Sequence, residues 1–281
     1  MSRSYSRALT CLLPLVLQFP SLAAAQSSGT VRLVPVLSGP LAAAADQFFQ
    51  SGDVTIHFRE VGTGGPVILV HGWSRNLDDW SAVAAALAPT NRVIAMDVRG
   101  FGKSSKSGDS TKFGLQMADD VIRLMDHLGI RRAHLAGEAM GALIVANAAS
   151  RYADRVSTAT LIAVPFVDPS GAAAAVQSSR DTTLLGRTLK NAQVMTYNDS
   201  ASLIASWRSL VALDITAGPP PAVRALVMCG TADRALPNSR RIAAWWPGAR
   251  LVEVPNATRA VLREAENEVV TTMRAFFEQK V

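Results

Sequence analysis

A chain of 281 residues, 49% hydrophobic and 18% charged, holds enough apolar material for one large core, and its length fits a single compact domain. Its formal net charge of +6 falls to +4 once Arg3 and Arg7 of the first 25 residues are set aside, which is too little to argue for nucleic acid. A paired-histidine helix, CxxC, a Walker loop and a strand-following GxGxxG are all missing, so the sequence calls for no metal and no cofactor.

In chain order, residues 1–25 carry Arg3 and Arg7, then an apolar stretch over 8–17, then Ala23, Ala24 and Ala25 before Gln26. This is the layout of a secretory signal with a small-residue cleavage site, and it predicts a periplasmic or secreted protein. Pro14, Gln18 and Pro20 break the apolar stretch, so no membrane span is expected after signal removal. Cys11 falls inside the signal and leaves Cys229 as the lone cysteine of the mature chain, which excludes an internal disulfide. Residues 26–47 are small, polar and punctuated by Pro and Gly, and read as a linker or leader segment, with the fold proper over 48–281.

Within that region, β-rich apolar runs at 54–61, 67–70, 93–96, 133–136, 159–163, 225–229 and 251–254 alternate with helical segments. Such alternation predicts an α/β fold: a mostly parallel, doubly wound sheet with helices on both faces. The spacing of Val121, Leu124, Met125 and Leu128 predicts a helix over 117–128 with Asp119, Asp120 and Arg123 on its outer face. The segment 140–152, rich in Gly and Ala, suits a helix pressed against the sheet. Residues 165–221 interrupt the alternation and read as a small, partly helical lid.

Three segments carry a resemblance. Residues 65–73, GPVILVHGW, look like a strand followed by a His-Gly turn; residues 97–104 spell DVRGFGKS; residues 134–141 spell HLAGEAMG. At this spacing they resemble the α/β-hydrolase superfamily, in the branch of small esterases, haloperoxidase-like enzymes and meta-cleavage-product hydrolases, over about residues 53–277. The resemblance implies an α/β-hydrolase fold with the small lid. It places Ala139 at the position of the nucleophile in G-x-S-x-G. It places Asp233, after the strand LVMCG, at the acid position, and Arg259 at the histidine position. None of the four histidines, His57, His71, His127 and His134, follows the lid.

Alanine has nothing to attack a carbonyl with, and a guanidinium stays protonated, so the triad chemistry is not expected. Arg259 is expected to pair with Asp233 instead. The backbone amides of Trp73 and Met140 are the expected oxyanion-hole donors. Two readings stand together: a pseudoenzyme that binds a small anionic or acyl-type ligand or a protein partner, and an active hydrolase or lyase that uses Glu138, His71 or a positioned water. Glu138 stands at a position that more often points away from the pocket. Ser74, Asp168 and Cys229 are weaker candidates: Ser74 has no dedicated base, Asp168 sits in a plain turn and Cys229 in an apolar strand; Trp207, Trp245 and Trp246 read as packing residues, with Trp207 able to line a pocket. No motif encodes the ligand's identity or the oligomeric state.

Overall fold

Successive side chains of a strand point to opposite faces of a sheet, so a strand that is apolar at every position must be covered on both. In the computed structural model, which describes residues 39–168, 170 and 187–279, this is what happens. Ile68, Val70, Ile94 and Met96 enter one core, while Val67, Leu69, Val93 and Ala95 enter the other.

The sheet has eight strands: β1 (Gln47–Ser51), β2 (Val54–Val61), β3 (Gly65–Val70), β4 (Asn91–Met96), β5 (Ala133–Glu138), β6 (Val156–Ile162), β7 (Arg224–Gly230) and β8 (Arg250–Val254). Their spatial order is β1-β2-β4-β3-β5-β6-β7-β8. The pairs β1/β2 and β2/β4 are antiparallel and the other five are parallel. The first core is closed by α3 (Leu115–His127) and α4 (Met140–Arg151), the second by α1 (Pro40–Ala43), α2 (Ser81–Leu87) and a C-terminal helix over Glu266–Glu278. Every residue of α4 from Met140 to Ala149 is buried, and its small side chains let it lie close on the sheet.

Two expectations change. The packed fold begins before Phe48: Leu41 is fully buried in the second core, and β1 forms a hairpin with β2. Only Phe49 and Ser51 of β1 face inward, so its sequence reads as polar. Asp120 does not lie on the outer face of α3. It is fully buried, held by Arg99 through two bonds of 2.6 and 2.7 Å and by Ser51 Oγ at 2.6 Å. Arg99, equally buried, is the arginine of the 97–104 loop, so this loop is knitted into the core by charge.

In the lid region the described residues form α5 (Ala192–Met195) and α6 (Ser200–Leu210). Asp199 caps α6 by accepting from the Ser202 amide at 2.9 Å, and Leu203, Ala205 and Leu210 send the helix's apolar face into the first core. The expected lid segment 172–176, the start of the 184–189 segment, the signal at 1–25 and the leader at 26–38 lie outside the described residues. Among the described residues no helix is long and apolar enough to cross a membrane.

Candidate functional site at the C-terminal edge of the sheet

β5 ends at Glu138 and α4 starts at Met140, so the chain reverses within one residue, Ala139. Its φ of 48° and ψ of −106° are conformations that a Cβ disfavours. The reversal also presses backbone against backbone. A Cβ at Gly137 would collide with the Gly141 carbonyl, and one at Gly141 with the Val70 carbonyl. Glycine at both positions is therefore a steric requirement of the turn. The Ala139 amide donates to Ile162 O at 2.9 Å, which fixes the turn to β6. The side chain presented there is a methyl group.

Beside the turn, β3 runs into His71-Gly72-Trp73. The Val98 amide donates to His71 Nε2 at 3.0 Å, which leaves the ring's proton on Nδ1, and Nδ1 donates to Gly72 O at 2.7 Å. Burial lowers the ring's pKa, so His71 is neutral with both nitrogens engaged. It braces the loop between β3 and β4 and has no lone pair to offer a substrate. The amides of Trp73 and Met140 find no acceptor among the described residues. The Trp73 indole donates to Ser206 Oγ at 3.2 Å and stands 5.1 Å from the ring of Trp207, so α6 rests on this turn.

From the other side, the β7 loop and the loop after β8 bring Asp233 and Arg259 together. Arg259 Nε donates to both Asp233 oxygens, at 2.9 and 3.2 Å. A single N–H is shared between two acceptors, so the geometry is not the two-pronged fork of a bidentate pair, and both Nη nitrogens remain without a partner among the described residues. The Asp233 side chain is buried while that of Arg259 is 46% exposed. Asp233 Oδ1 also accepts from the Ala235 amide at 2.9 Å, and Cys229 Sγ lies 3.8 Å from Oδ2. Burial raises the Cys229 thiol, which marks it as a packed side chain and not a nucleophile.

Glu138 lines a cleft of about 170 Å³ that it shares with Arg75, Asp79, Thr258, Arg259 and Arg263; Ala139, Trp73, Met140 and Asp233 are not among its lining residues. Glu138 Oε2 lies over Gly72, where a Cβ would collide with it. Burial pushes the carboxyl up to about 7; Arg259 and Arg75 pull it down, and Asp79 and Asp233 add to the rise. No hydrogen bond reaches this carboxyl from the described residues.

Of the weaker candidates, Ser74 sits in the left-handed region at φ 63°, and its carbonyl accepts from Asn198 Nδ2 at 3.2 Å. Asp168 pairs with Arg241. Trp246 is buried and donates to Val223 O at 2.8 Å, with Trp245 edge-on to it, so both are packing residues. Sequence reasoning missed Arg75 and Arg263. Neither stands in a motif, and the one available signal is proximity in the chain: each lies within four residues of a loop already singled out, Arg75 after Trp73 and Arg263 after Arg259.

The sequence model described as "alpha/beta hydrolase fold" matches residues 65–188. The chain is 42% identical over 106 residues to the dihydrolipoyllysine-residue acetyltransferase component of the acetoin cleaving system of Pseudomonas putida, covering 36% of this chain and 28% of that protein. It is 38% identical over 114 residues to 2-hydroxy-6-oxo-6-phenylhexa-2,4-dienoate hydrolase of Comamonas testosteroni, covering 39% of this chain and 40% of that one. The chain thus aligns with less than half the length of either relative. Among solved structures, the enol-lactonase from Burkholderia xenovorans LB400 superposes with a TM-score of 0.71 at 25% identity, over 83% of this chain and all of that one. With its eight-stranded, mostly parallel sheet and these similarities, the chain has the α/β-hydrolase fold, and its residues 65–188 match the α/β-hydrolase family model.

Proposed function

We propose that this is an exported, catalytically silent α/β-hydrolase-fold protein that binds a small ligand, or a protein partner, at the edge of the sheet without turning it over. In this reading Ala139 stands at the superfamily's nucleophile position, Asp233 at the acid position and Arg259 at the histidine position. The observation that carries it is the Arg259–Asp233 pair. A guanidinium cannot accept a proton at any ordinary pH, and here it occupies the carboxylate that would otherwise orient a base. The unbonded amides of Trp73 and Met140 and the exposed end of Arg259 suit an anionic or acyl-type ligand. That named relatives include hydrolases makes ester-like compounds the first class to test.

A second reading, an unconventional hydrolase or lyase, is favoured by one observation. Glu138 offers a carboxyl held near neutrality inside a cleft, the condition for general acid–base work. His71 drops out of this reading, since both of its nitrogens are engaged.

Turnover of short p-nitrophenyl esters separates the two. The wild type is expected to be inactive, Ala139→Ser to remain inactive for want of a base, and Ala139→Ser with Arg259→His to gain detectable activity. Wild-type turnover that is lost in Glu138→Gln would replace the first reading with the second. A silent double variant that is folded would show that the two side chains are not what keeps the protein inactive.

A further inference from the structure

The turn that carries Trp73 holds a conformation its sequence resists. The Arg75 amide donates to Gly72 O at 3.2 Å, which closes a four-residue turn over 72–75. Ser74, its third residue, has a φ of 63°, while Trp73 before it stays outside the left-handed region. That pattern is a type II turn, whose third position calls for glycine or asparagine because a Cβ is disfavoured there. The contacts that keep serine in place come from one direction. Asn198, buried just before α6, donates through Nδ2 to Ser74 O and to Val194 O of α5, each at 3.2 Å. The Trp73 indole donates to Ser206 Oγ of α6 at 3.2 Å, and its ring lies 5.1 Å from that of Trp207. Both central residues of the turn are thus fastened to the α5–α6 segment. These contacts add to those that α6 makes elsewhere, through Leu203, Ala205 and Leu210 in the first core and through Ser202 Oγ, which accepts from the Ser107 amide at 2.9 Å. On its other side the turn meets the cleft: Arg75 lines it, and Glu138 Oε2 lies over Gly72.

We propose that the 72–75 turn couples the cleft to the lid region: docking of the α5–α6 segment locks Ser74 in the left-handed region, and undocking lets the Trp73–Ser74 peptide flip to the unstrained type I arrangement. The two turn types differ chiefly by rotation of that one peptide unit, so the flip leaves the flanking strand and helix where they are. Strain at Ser74 is released only in the undocked state, and so the turn opposes docking while Asn198, Ser206 and Trp207 favour it. By linkage, a molecule in the cleft that favours the type II shape favours the docked lid by the same factor. The coupling is a property of the folded chain and is independent of whether the cleft binds a ligand or turns one over.

The test is hydrogen–deuterium exchange of the full folded protein, read over residues 192–210, for a series at position 74 that changes the ease of a positive φ. Ser74 gives its carbonyl, not its hydroxyl, to Asn198, so the series leaves that bond in place. Ser74→Gly and Ser74→Asn should slow exchange in α6, glycine by about threefold, and Ser74→Val, whose branched side chain resists a positive φ, should speed it by a similar factor. In return, Trp207→Ala should speed exchange over residues 72–76. Exchange in α6 that ignores position 74, or that follows another order, would overturn the proposal. An equal change in α4 would overturn it too, since the substitution would then act on the whole fold and not on the lid. If Ser74→Val fails to fold, the glycine and asparagine variants decide the matter alone.

Discussion

Ala139 holds a strained backbone conformation that, in the proposed reading, serves no catalysis. Its φ of 48° and ψ of −106° lie where glycine is at ease and alanine is not, a cost of about 1–3 kcal/mol. Replacing it by glycine removes the Cβ clash and adds disorder to the unfolded chain, worth about 0.4–1 kcal/mol in the opposite direction. Relief of strain outweighs the added disorder, so Ala139→Gly is expected to raise the melting temperature, measured by circular dichroism or scanning calorimetry. A fall would mean that the methyl group contributes packing that outweighs its strain. The opposite substitution, glycine to alanine, has no such latitude at Gly137 and Gly141, where backbone approach leaves no room for any Cβ. These three positions were legible in the sequence because G-x-x-x-G after a strand encodes a backbone shape. The cleft beside Glu138 was not, because Arg75, Thr258 and Arg263 reach it from segments far apart in the chain, and no local pattern announces their meeting.

At the scale of elements, a buried charge pair ties the 97–104 loop to α3. Arg99 and Asp120 are both buried, and Arg99 Nη1 also donates to Lys112 O and Gln116 Oε1, each at 2.7 Å. Removing one partner of such a pair leaves an uncompensated buried charge, at a cost of about 3–5 kcal/mol. Asp120→Ala is therefore expected to lower the melting temperature by about 10 °C at this chain length, while Arg99→Met with Asp120→Leu should lower it by less. Equal loss in the single and the double variant would show that the loop is held by its other contacts. Helical periodicity located α3, since Met117, Val121, Leu124 and Met125 do face the core. Periodicity misplaced Asp120 because it ranks residues by polarity, and a buried acid is intelligible only once its arginine, 21 positions earlier, is known to fold beside it. β1 escaped notice for a related reason: of its two inward residues only Phe49 is apolar, Ser51 being turned to buried Asp120, and one apolar residue forms no pattern.

For the whole molecule, the doubly wound sheet was legible because both faces of its central strands are covered and those strands are correspondingly apolar. The lid was legible only as an interruption. Its helix α6 is fastened by Trp73, Ser206 and Trp207, contacts between segments more than a hundred positions apart that no local pattern announces. Export concerns the chain as a whole. An oxidising compartment favours proteins that draw stability from disulfides, yet Cys229 is buried, and Cys11, the other cysteine, falls within the expected signal. An exported chain of this kind must rely on its two cores alone, and its stability should be indifferent to redox conditions. Expression of the full chain in a bacterial host, followed by fractionation and mass spectrometry, is expected to place the protein in the periplasm or medium with Gln26 as its first residue. The melting temperature of that mature form should not change when dithiothreitol is added. Retention in the cytosol with the first 25 residues attached would overturn export, and a drop in stability on reduction would reveal a disulfide between chains through Cys229, in conflict with its burial.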